Sequence, residues 1–240
     1  MKGVAFTDVG YQRKINEDSW YFDLSKKIIA VADGMGGHRA GEIASQTVKE
    51  YLEKDAEIEV KNFNKIFQEI NDAIILAGEE KEEYKGMGTT FTLVKIEDNK
   101  IYVGHIGDSR AYLLRNGKIM QMTTDHTMVN ELLKSEGITL EQAQDHPYKH
   151  VLSRALGVDK NISIEEKTYK LEQGDYLLLS TDGLHGMLSD VEIVSCFIEN
   201  NYEIEKTGEI LMQKALDKGG NDNITFIIAG DIFENGEQEQ

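Results

Sequence analysis

Apolar residues recur along the chain with two periods, one typical of strands and one typical of amphipathic helices. The predicted strands are 1–8, 20–24, 27–32, 89–96, 100–106, 111–115, 118–122, 162–169, 176–180 and 223–231. The predicted helices are 40–52, 62–82, 128–135, 140–145, 190–199 and 205–218.

The predicted strands form groups, and the longer predicted helices lie between those groups in pairs. Short turns such as Asn116-Gly117 carry a hairpin signal, so 89–122 is predicted to be one antiparallel meander. This order is typical of the α+β class, because a parallel sheet needs strands that alternate strictly with helices. Two antiparallel sheets packed together, with helix pairs outside, would bury every apolar stripe.

The chain has 240 residues, enough for one substantial core, and it contains no repeat or linker-like segment. Residues 234–240 are polar and are expected to form a disordered tail. The single cysteine, Cys196, excludes an internal disulfide and is predicted to be a buried thiol on a helix. No signal core or membrane span is evident, so we expect a cytoplasmic protein.

The formal net charge is −17, and no local basic patch is visible. Nucleic acid and anionic membranes would repel such a chain, so neither is expected as a partner. The acidic excess has two interpretations, which are solubility and the binding of metal cations.

Five aspartates recur near the ends of apolar segments, each close to glycine or asparagine. They are Asp18, Asp33, Asp108, Asp182 and Asp222. Each alone is typical of a turn, but together they suggest one site. Two such charges about 4 Å apart repel by ~4 kcal/mol at an effective dielectric near 20, so protons or cations must compensate them. Carboxylates favour Mg²⁺, Mn²⁺ or Ca²⁺ over zinc, and their scatter along the chain excludes an EF-hand.

The glycine-rich segment DGMGGHRAGE opens a predicted helix and superficially resembles a phosphate-binding loop. It lacks the Gly-Lys-Ser/Thr of a P-loop, and Asp33 would repel a bare phosphate. The phosphate-binding loop and Asp33 are compatible if a metal ion lies between the carboxylate and the phosphate. The Gly34 carbonyl could then approach the cation closely.

No serine has a convincing base beside it in sequence, so a metal-activated water is the simpler nucleophile. Arg13 is either a bidentate phosphate clamp or an exposed arginine. His38 is the best histidine for a general acid or a substrate contact, although it could simply be exposed, and His105 is expected to be structural.

Five motifs occur in the order RKINED, ADGMGG, GDSR, STDGL and GGNDNIT. Their order and spacing resemble the metal-dependent protein phosphatases of type 2C, in their compact bacterial form, over nearly the whole chain. The resemblance implies a four-layer αββα sandwich, formed as one phosphatase domain over 1–233. It also implies hydrolysis of phosphoserine and phosphothreonine by a water that bridges two Mn²⁺ or Mg²⁺ ions.

Motif by motif, the resemblance implies that Asp33 bridges both metals and that the Gly34 carbonyl contacts the second. Asp182 and Asp222 would complete the first metal site. Asp18, with Glu17 beside it, would contact a metal ion directly or through a metal-bound water.

In the same way, Asp108 would help Asp182 to hold a third, weaker metal, and Arg13 would bind phosphate. Residues 125–157 would form a flap beside the active site, and we call them the flap segment. Many eukaryotic relatives have a proposed general-acid histidine after the bridging Asp-Gly pair. Here that position is Met35, and His38 lies three residues later.

The implied partners are phosphorylated proteins and a Hanks-type kinase whose action the enzyme would reverse, and a monomer is expected. Two alternatives stay open at this point. One is a dedicated regulator that dephosphorylates a single anti-sigma-antagonist-type protein, and the other is a catalytically inactive binding module.

Overall fold

The computed structural model describes residues 1–36, 40–54, 58–135, 137–144 and 146–232, and both strands and helices contribute to its buried core. The strands are β1 (Lys2–Asp8), β2 (Asp18–Asp23), β3 (Ile28–Met35), β4 (Gly88–Thr89), β5 (Phe91–Glu97), β6 (Lys100–Ile106), β7 (Arg110–Arg115), β8 (Lys118–Gln121), β9 (Glu165–Lys170), β10 (Tyr176–Ser180) and β11 (Ile224–Gly230). The α-helices are α1 (Ala40–Glu53), α2 (Phe63–Glu80), α3 (Met128–Lys134), α4 (Leu140–Gln144), α5 (Asp182–His185), α6 (Asp190–Glu199) and α7 (Ile204–Asp217). The predicted tail and His38 lie outside the described residues.

The strands form two antiparallel sheets. The first sheet has the order β1-β11-β10-β7-β8, and the second has the order β2-β3-β5-β6-β9, with β4 paired to β3. Helices α1 and α2 pack on the outer face of the second sheet, and α6 and α7 pack on the outer face of the first. The predicted α+β sandwich of two sheets between helix pairs is therefore confirmed.

Strand β3 shows why its sequence is a continuous apolar run. Its residues Ile28 and Ala30 face α1 and α2, whereas Ile29 and Val31 face the first sheet. Both faces of the strand are buried, so a strict polar alternation is absent. The strand also extends through Asp33 to Met35, three residues beyond the predicted end.

The predicted meander over 89–122 is wrong. Strands β5 and β6 pair in the second sheet, but the other edge of β6 pairs with β9. Strands β7 and β8 pair with each other in the first sheet. The chain crosses between the sheets at Gly107, whose φ is +109°. Turn signals predict where strands end, but they do not specify the sheet in which the next strand pairs.

Two further outcomes concern the first sheet and its helices. Cys196 is fully buried in α6, as predicted. The short helix α5 was not predicted, and it begins at Asp182 directly after β10. Among the described helices, none is both long and apolar enough to cross a membrane.

Candidate metal centre

The strand ends that carry the aspartate motifs meet at one edge of the sandwich. In the first sheet, Ser180 at the end of β10 pairs with Arg110 of β7 and with Phe226 of β11. In the second sheet, Asp18 pairs directly with Asp33. Segments distant in sequence therefore present their acidic residues at the same rim.

A cleft of about 490 Å³ opens at this rim. Its lining residues are Arg13, Glu17, Asp33, Gly34, Met35, Gly36, Thr90, Asp108, His150, Val151, Leu152, Asp182 and Asp222. The structure thus brings together six of the eight predicted site residues. Asp18 is half-buried next to the cleft without lining it, and His38 is the one predicted site residue that lies outside the described residues.

The backbone of Asp33 is fixed by two threonines. Its amide donates to Oγ1 of Thr90 at 2.9 Å, and its carbonyl accepts from Thr89 Oγ1 and from the Thr90 amide, each at 2.9 Å. Thr90 Oγ1 also shares a 2.6 Å hydrogen bond with Ser109 Oγ. The end of β3 is consequently tied to the turn that carries Asp108.

Buried carboxylate oxygens at this rim have incomplete hydrogen bonding. Thr181 Oγ1 donates to Asp18 Oδ2 at 2.8 Å, but Asp18 Oδ1 has no hydrogen-bond partner. Asp182 Oδ1 and Glu17 Oε1 are likewise buried without a hydrogen-bond partner. Such orphaned acceptors are costly unless a proton or a cation compensates them.

Burial and mutual repulsion together shift the acidity of these groups. Burial raises the pKa of Asp18 and of Asp33 well above the usual range, and neighbouring carboxylates add to the rise. Burial, followed by the charges of Asp182 and Asp125, raises the pKa of Asp108 to about 7. Clustered groups with such shifts mark a candidate functional site.

This donor set fits hard divalent cations, because it consists of carboxylate and carbonyl oxygens. No three acidic, histidine or cysteine side chains among the described residues already form a closed ligand cluster. Mg²⁺ keeps several waters and usually takes one or two carboxylates, so such a centre does not require three side chains for each ion.

Arg13 lies on the rim, where its Nη2 donates to Asp222 Oδ2 at 2.6 Å. The loop that carries Arg13 is held by Asn223, which donates through Nδ2 to the carbonyls of Val9 and Ile15 at 2.9 Å. Asn223 Oδ1 also accepts from the Glu17 amide at 2.8 Å. One asparagine therefore positions both Arg13 and the acidic pair that follows it.

Gly34 is required by close packing between β3 and α1. A Cβ atom at Gly34 would lie 2.0 Å from the Gly41 carbonyl oxygen and 2.6 Å from the Glu17 carbonyl oxygen. The Gly34 amide donates to that Glu17 carbonyl at 3.0 Å. Only glycine lets the end of the strand approach the start of the helix so closely.

Several residues at the site were not singled out from the sequence. Thr90 and Asn223 position segments that line the cleft, and His150 lines the cleft from the flap segment. The NDN triplet offered a signal for Asn223, since asparagine commonly fixes turns by hydrogen bonding to backbone groups. Nothing in the sequence alone indicated that His150 would face the aspartates.

His105 is buried, as expected of a structural histidine, and its Nδ1 shares a 2.8 Å hydrogen bond with Thr92 Oγ1. It does not line the cleft.

Comparison with known proteins gives a consistent result. The family described as Protein phosphatase 2C matches residues 13–224. Protein phosphatase PhpP of Streptococcus pneumoniae is 39% identical, with 99% of this chain and 100% of the relative covered. The serine/threonine phosphatase stp of Listeria innocua is 36% identical over 92% of each chain.

Solved structures agree with these relatives. The catalytic domain of the serine/threonine protein phosphatase PstP, solved with two manganese ions, has a TM-score of 0.84 and 35% identity. The match covers 95% of this chain and 96% of that chain. Both the family match and the identity over nearly the full length show that this chain belongs to the protein phosphatase 2C family and is a bacterial protein-serine/threonine phosphatase.

Proposed function

We propose that the acidic cleft binds Mn²⁺ or Mg²⁺ and hydrolyses phosphoserine and phosphothreonine in proteins. The observation that carries this proposal is the convergence of buried carboxylates, several with orphaned oxygens, beside an arginine at the cleft edge. The PstP relative, whose structure holds two manganese ions, supports the choice of metal.

Two tight sites and a third, weaker site are proposed. Asp33 would contribute to both tight sites, with Asp182 and Asp222 on the first and the Gly34 carbonyl on the second. Asp18 would act with Glu17, directly or through water, and Asp108 would share the weaker site with Asp182. When bound, two such ions would supply Lewis acidity and activate a bridging water for attack on phosphorus.

Arg13 is proposed to bind the phosphoryl group through its guanidinium. Its side chain lines the cleft and is half exposed, so its donors can reach a ligand. Because Arg13 pairs with Asp222 in the structure, it must share or give up that contact when a phosphate arrives. The planar guanidinium suits bidentate binding of two phosphoryl oxygens.

The serine or threonine oxygen released from the substrate needs a proton. His38 is the proposed donor or substrate contact, and Met35, which lines the cleft, carries no transferable proton. Replacing His38 with glutamine should then lower kcat more for alkyl phosphates than for aryl phosphates, whose leaving groups need less protonation.

Phosphorylated proteins are the proposed substrates, and a Hanks-type serine/threonine kinase would supply them. We further propose that the protein acts as a cytoplasmic monomer without nucleic-acid or membrane partners. The net charge of −17 supports the exclusion of anionic polymers and surfaces. The printed names of the relatives as protein phosphatases support phosphoproteins as substrates.

The test is hydrolysis of phosphothreonine peptides in Mn²⁺, in Mg²⁺ and in EDTA. We expect turnover with either metal, loss of turnover in EDTA, and recovery when Mn²⁺ is restored. No turnover with any metal would support an inactive binding module, and a preference for one phosphoprotein over all peptides would support a dedicated regulator.

A further inference from the structure

The proposed reaction leaves one histidine beside the metal cleft without a role. His185 is the last residue of α5, three residues after Asp182. It lines a largely polar cavity of about 320 Å³ next to the cleft, together with Asp108 and Asp182. These two aspartates are the proposed side-chain ligands of the weaker metal site. The imidazole therefore lies where it can act on both segments that carry them.

The first contact of the imidazole is with the end of β10. His185 Nδ1 shares a 2.9 Å hydrogen bond with the Oγ atom of Ser180, which is fully buried. Ser180 is the last residue of β10, and it pairs in the sheet with Arg110 and Phe226. The imidazole is therefore tied to a strand end whose position the sheet fixes, two residues before Asp182.

The second contact is with the turn that carries Asp108. The imidazole of His185 makes a hydrogen bond with the Asp108 backbone. A backbone carbonyl can only accept a hydrogen bond, so the imidazole is the donor. Because Nδ1 is engaged by Ser180, the donating atom is Nε2. One side chain thus joins the end of β10 to the turn between β6 and β7.

The surroundings of His185 hold the imidazole in place. The fully buried Tyr112 ring packs edge-on against it, with the ring centroids 6.4 Å apart. Tyr112 Oη in turn accepts from Arg110 Nη1 at 2.9 Å. The backbone of α5 is also closely packed, since a Cβ atom at Gly183 would lie 2.0 Å from the Asn223 carbonyl oxygen. The histidine is therefore a rigid link between two segments.

The distance between the Asp108 and Asp182 carboxylates decides whether they can share an ion. After burial, the charge of Asp182 is the largest cause of the raised pKa of Asp108, so the two carboxylates repel each other. Asp182 Oδ1 is buried and has no hydrogen-bond partner that would fix it. Residues that orient metal ligands from behind typically change metal affinity or activity by about 10–100-fold when they are replaced.

We propose that His185 is a positioning residue that holds Asp108 at the distance from Asp182 that the weaker metal ion needs. The proposal rests on the function proposed above and deepens it, because it names a residue outside the carboxylate set that controls occupancy of one site. Asp182 stays fixed by the sheet and by the packing of Gly183, so loss of the imidazole should release Asp108. The tight sites should then remain.

The first test is calorimetric titration of Mn²⁺ into the wild type, His185→Leu and His185→Gln. Leucine removes both hydrogen bonds, so the Kd of the weak event should rise by at least about tenfold while the tight events remain. Glutamine can donate from about the position of Nε2, so it should recover most of the lost affinity. An unchanged weak event in His185→Leu, or equal losses in both variants, would overturn the proposal.

His185→Asn keeps the test decisive if His185→Leu fails to fold. The shorter amide of asparagine can reach Ser180 from about the position of Nδ1, but it cannot reach the Asp108 carbonyl. Its weak Mn²⁺ event should therefore be about tenfold weaker than that of the wild type. Equal weak-site affinities in His185→Asn and His185→Gln would contradict a role that acts through Asp108.

Turnover distinguishes positioning from a merely structural role. The fall in phosphopeptide kcat caused by His185→Leu should be reversed by excess Mn²⁺, because mass action can fill a weakened site. In an Asp108→Asn background, His185→Leu should cause no further fall, since the histidine acts through Asp108. A fall that excess Mn²⁺ does not reverse, or one that adds to the effect of Asp108→Asn, would show a structural role only.

Phe197→Leu is the control for lost stability, since Phe197 is fully buried in the same core cluster and lines neither cavity. It should lower the melting temperature and keep the weak Mn²⁺ event, and loss of that event would overturn the proposal. Hydrolysis by a wild type whose weak event is missing, or is equal in every variant, rejects the role of His185 alone. Absence of hydrolysis with Mn²⁺ in the wild type rejects the proposed function as well.

Discussion

At the scale of single residues, an aspartate at a strand end can either stabilise a turn or bind a metal. For Asp108, the pKa of the carboxyl group distinguishes these two roles. Burial and neighbouring charges raise its pKa to about 7, so its ionised form is unfavourable without a cation. A capping aspartate would show the opposite behaviour, because hydrogen bonds to the charged form lower a carboxyl pKa.

Asp108→Asn should therefore leave the melting temperature unchanged or higher without metal, since the variant removes a buried charge. Turnover of a phosphopeptide should fall strongly, and a weak Mn²⁺-binding event should disappear while the tight events remain. Calorimetry and steady-state kinetics measure both effects. A lowered melting temperature with unchanged kcat would identify Asp108 as a structural turn residue.

Arg13→Ala should raise KM for phosphopeptides more than it lowers kcat, because a clamp on phosphate acts on ground and transition states alike. The 2.6 Å hydrogen bond to Asp222 adds a second expectation. Arg13 competes with metal cations for the Asp222 carboxylate. Its removal should therefore leave the affinity for Mn²⁺ unchanged or higher.

Arg13→Lys is the control, since it keeps the charge but loses the bidentate geometry. Its Mn²⁺ affinity should be near the wild-type value. Its KM for phosphopeptides should lie between those of the wild type and Arg13→Ala. A fall in kcat alone for Arg13→Ala would make Arg13 a transition-state group instead.

At the scale of elements, the site depends on the contact between the end of β3 and the start of α1. Gly34→Ala would force a Cβ to within 2.0 Å of the Gly41 carbonyl oxygen. We expect a loss of about 1–3 kcal/mol in the free energy of unfolding, typical of overpacking, together with reduced activity. Chemical denaturation followed by a peptide assay measures both.

Gly78→Ala provides the comparison, because Gly78 lies in α2, where alanine gains up to about 1 kcal/mol of helix propensity. Its Cβ would meet only the Tyr84 carbonyl oxygen, at 3.3 Å. Stability should change by less than about 1 kcal/mol. Equal destabilisation by both variants would contradict the packing argument.

The elements also show what sequence patterns could and could not predict. Strand β6 and helix α6 have the predicted bounds, because their apolar periods are regular and turns or caps limit them. The pairing of β6 with β5 was predicted correctly, but its second partner is β9 rather than β7. That second pairing joins segments distant along the chain, which a sequence pattern does not specify. The one-turn helix α5 is too short to show a helical period.

For the site as well, the sequence predicts some features and not others. The aspartate motifs mark strand ends, so their convergence could be predicted from the sequence. The position of His150 could not, because it depends on how the flap segment packs over the cleft. Likewise, Thr181 could not be assigned to Asp18, since their hydrogen bond joins residues 163 positions apart.

At the scale of the whole molecule, buried histidines should limit stability in acid. Burial lowers the pKa of His105 to about 4 and, with the charge of His105, lowers that of His126 to about 3. Below a pH of about 6.5 the unfolded chain binds protons that these native imidazoles do not. Each histidine therefore reduces stability by up to ~1.4 kcal/mol per pH unit as pH falls.

His105→Gln should weaken that dependence between pH 6 and pH 5, even if it lowers stability at pH 7. The raised pKa values of the cleft carboxylates act in the opposite direction, so the two proteins are compared at each pH. Urea unfolding at each pH gives the free energy of unfolding, and hence its slope against pH, for both proteins. Parallel curves for wild type and variant would contradict a neutral buried His105.

The central claim is that the clustered aspartates bind the divalent ions on which hydrolysis depends. Calorimetric titration of Mn²⁺ into the wild type and into Asp33→Asn, with phosphopeptide turnover measured on the same samples, tests it most directly. We predict tight Mn²⁺ binding and turnover for the wild type, and loss of tight binding with most of the turnover in Asp33→Asn. Tight Mn²⁺ binding together with near wild-type turnover in Asp33→Asn would contradict the account.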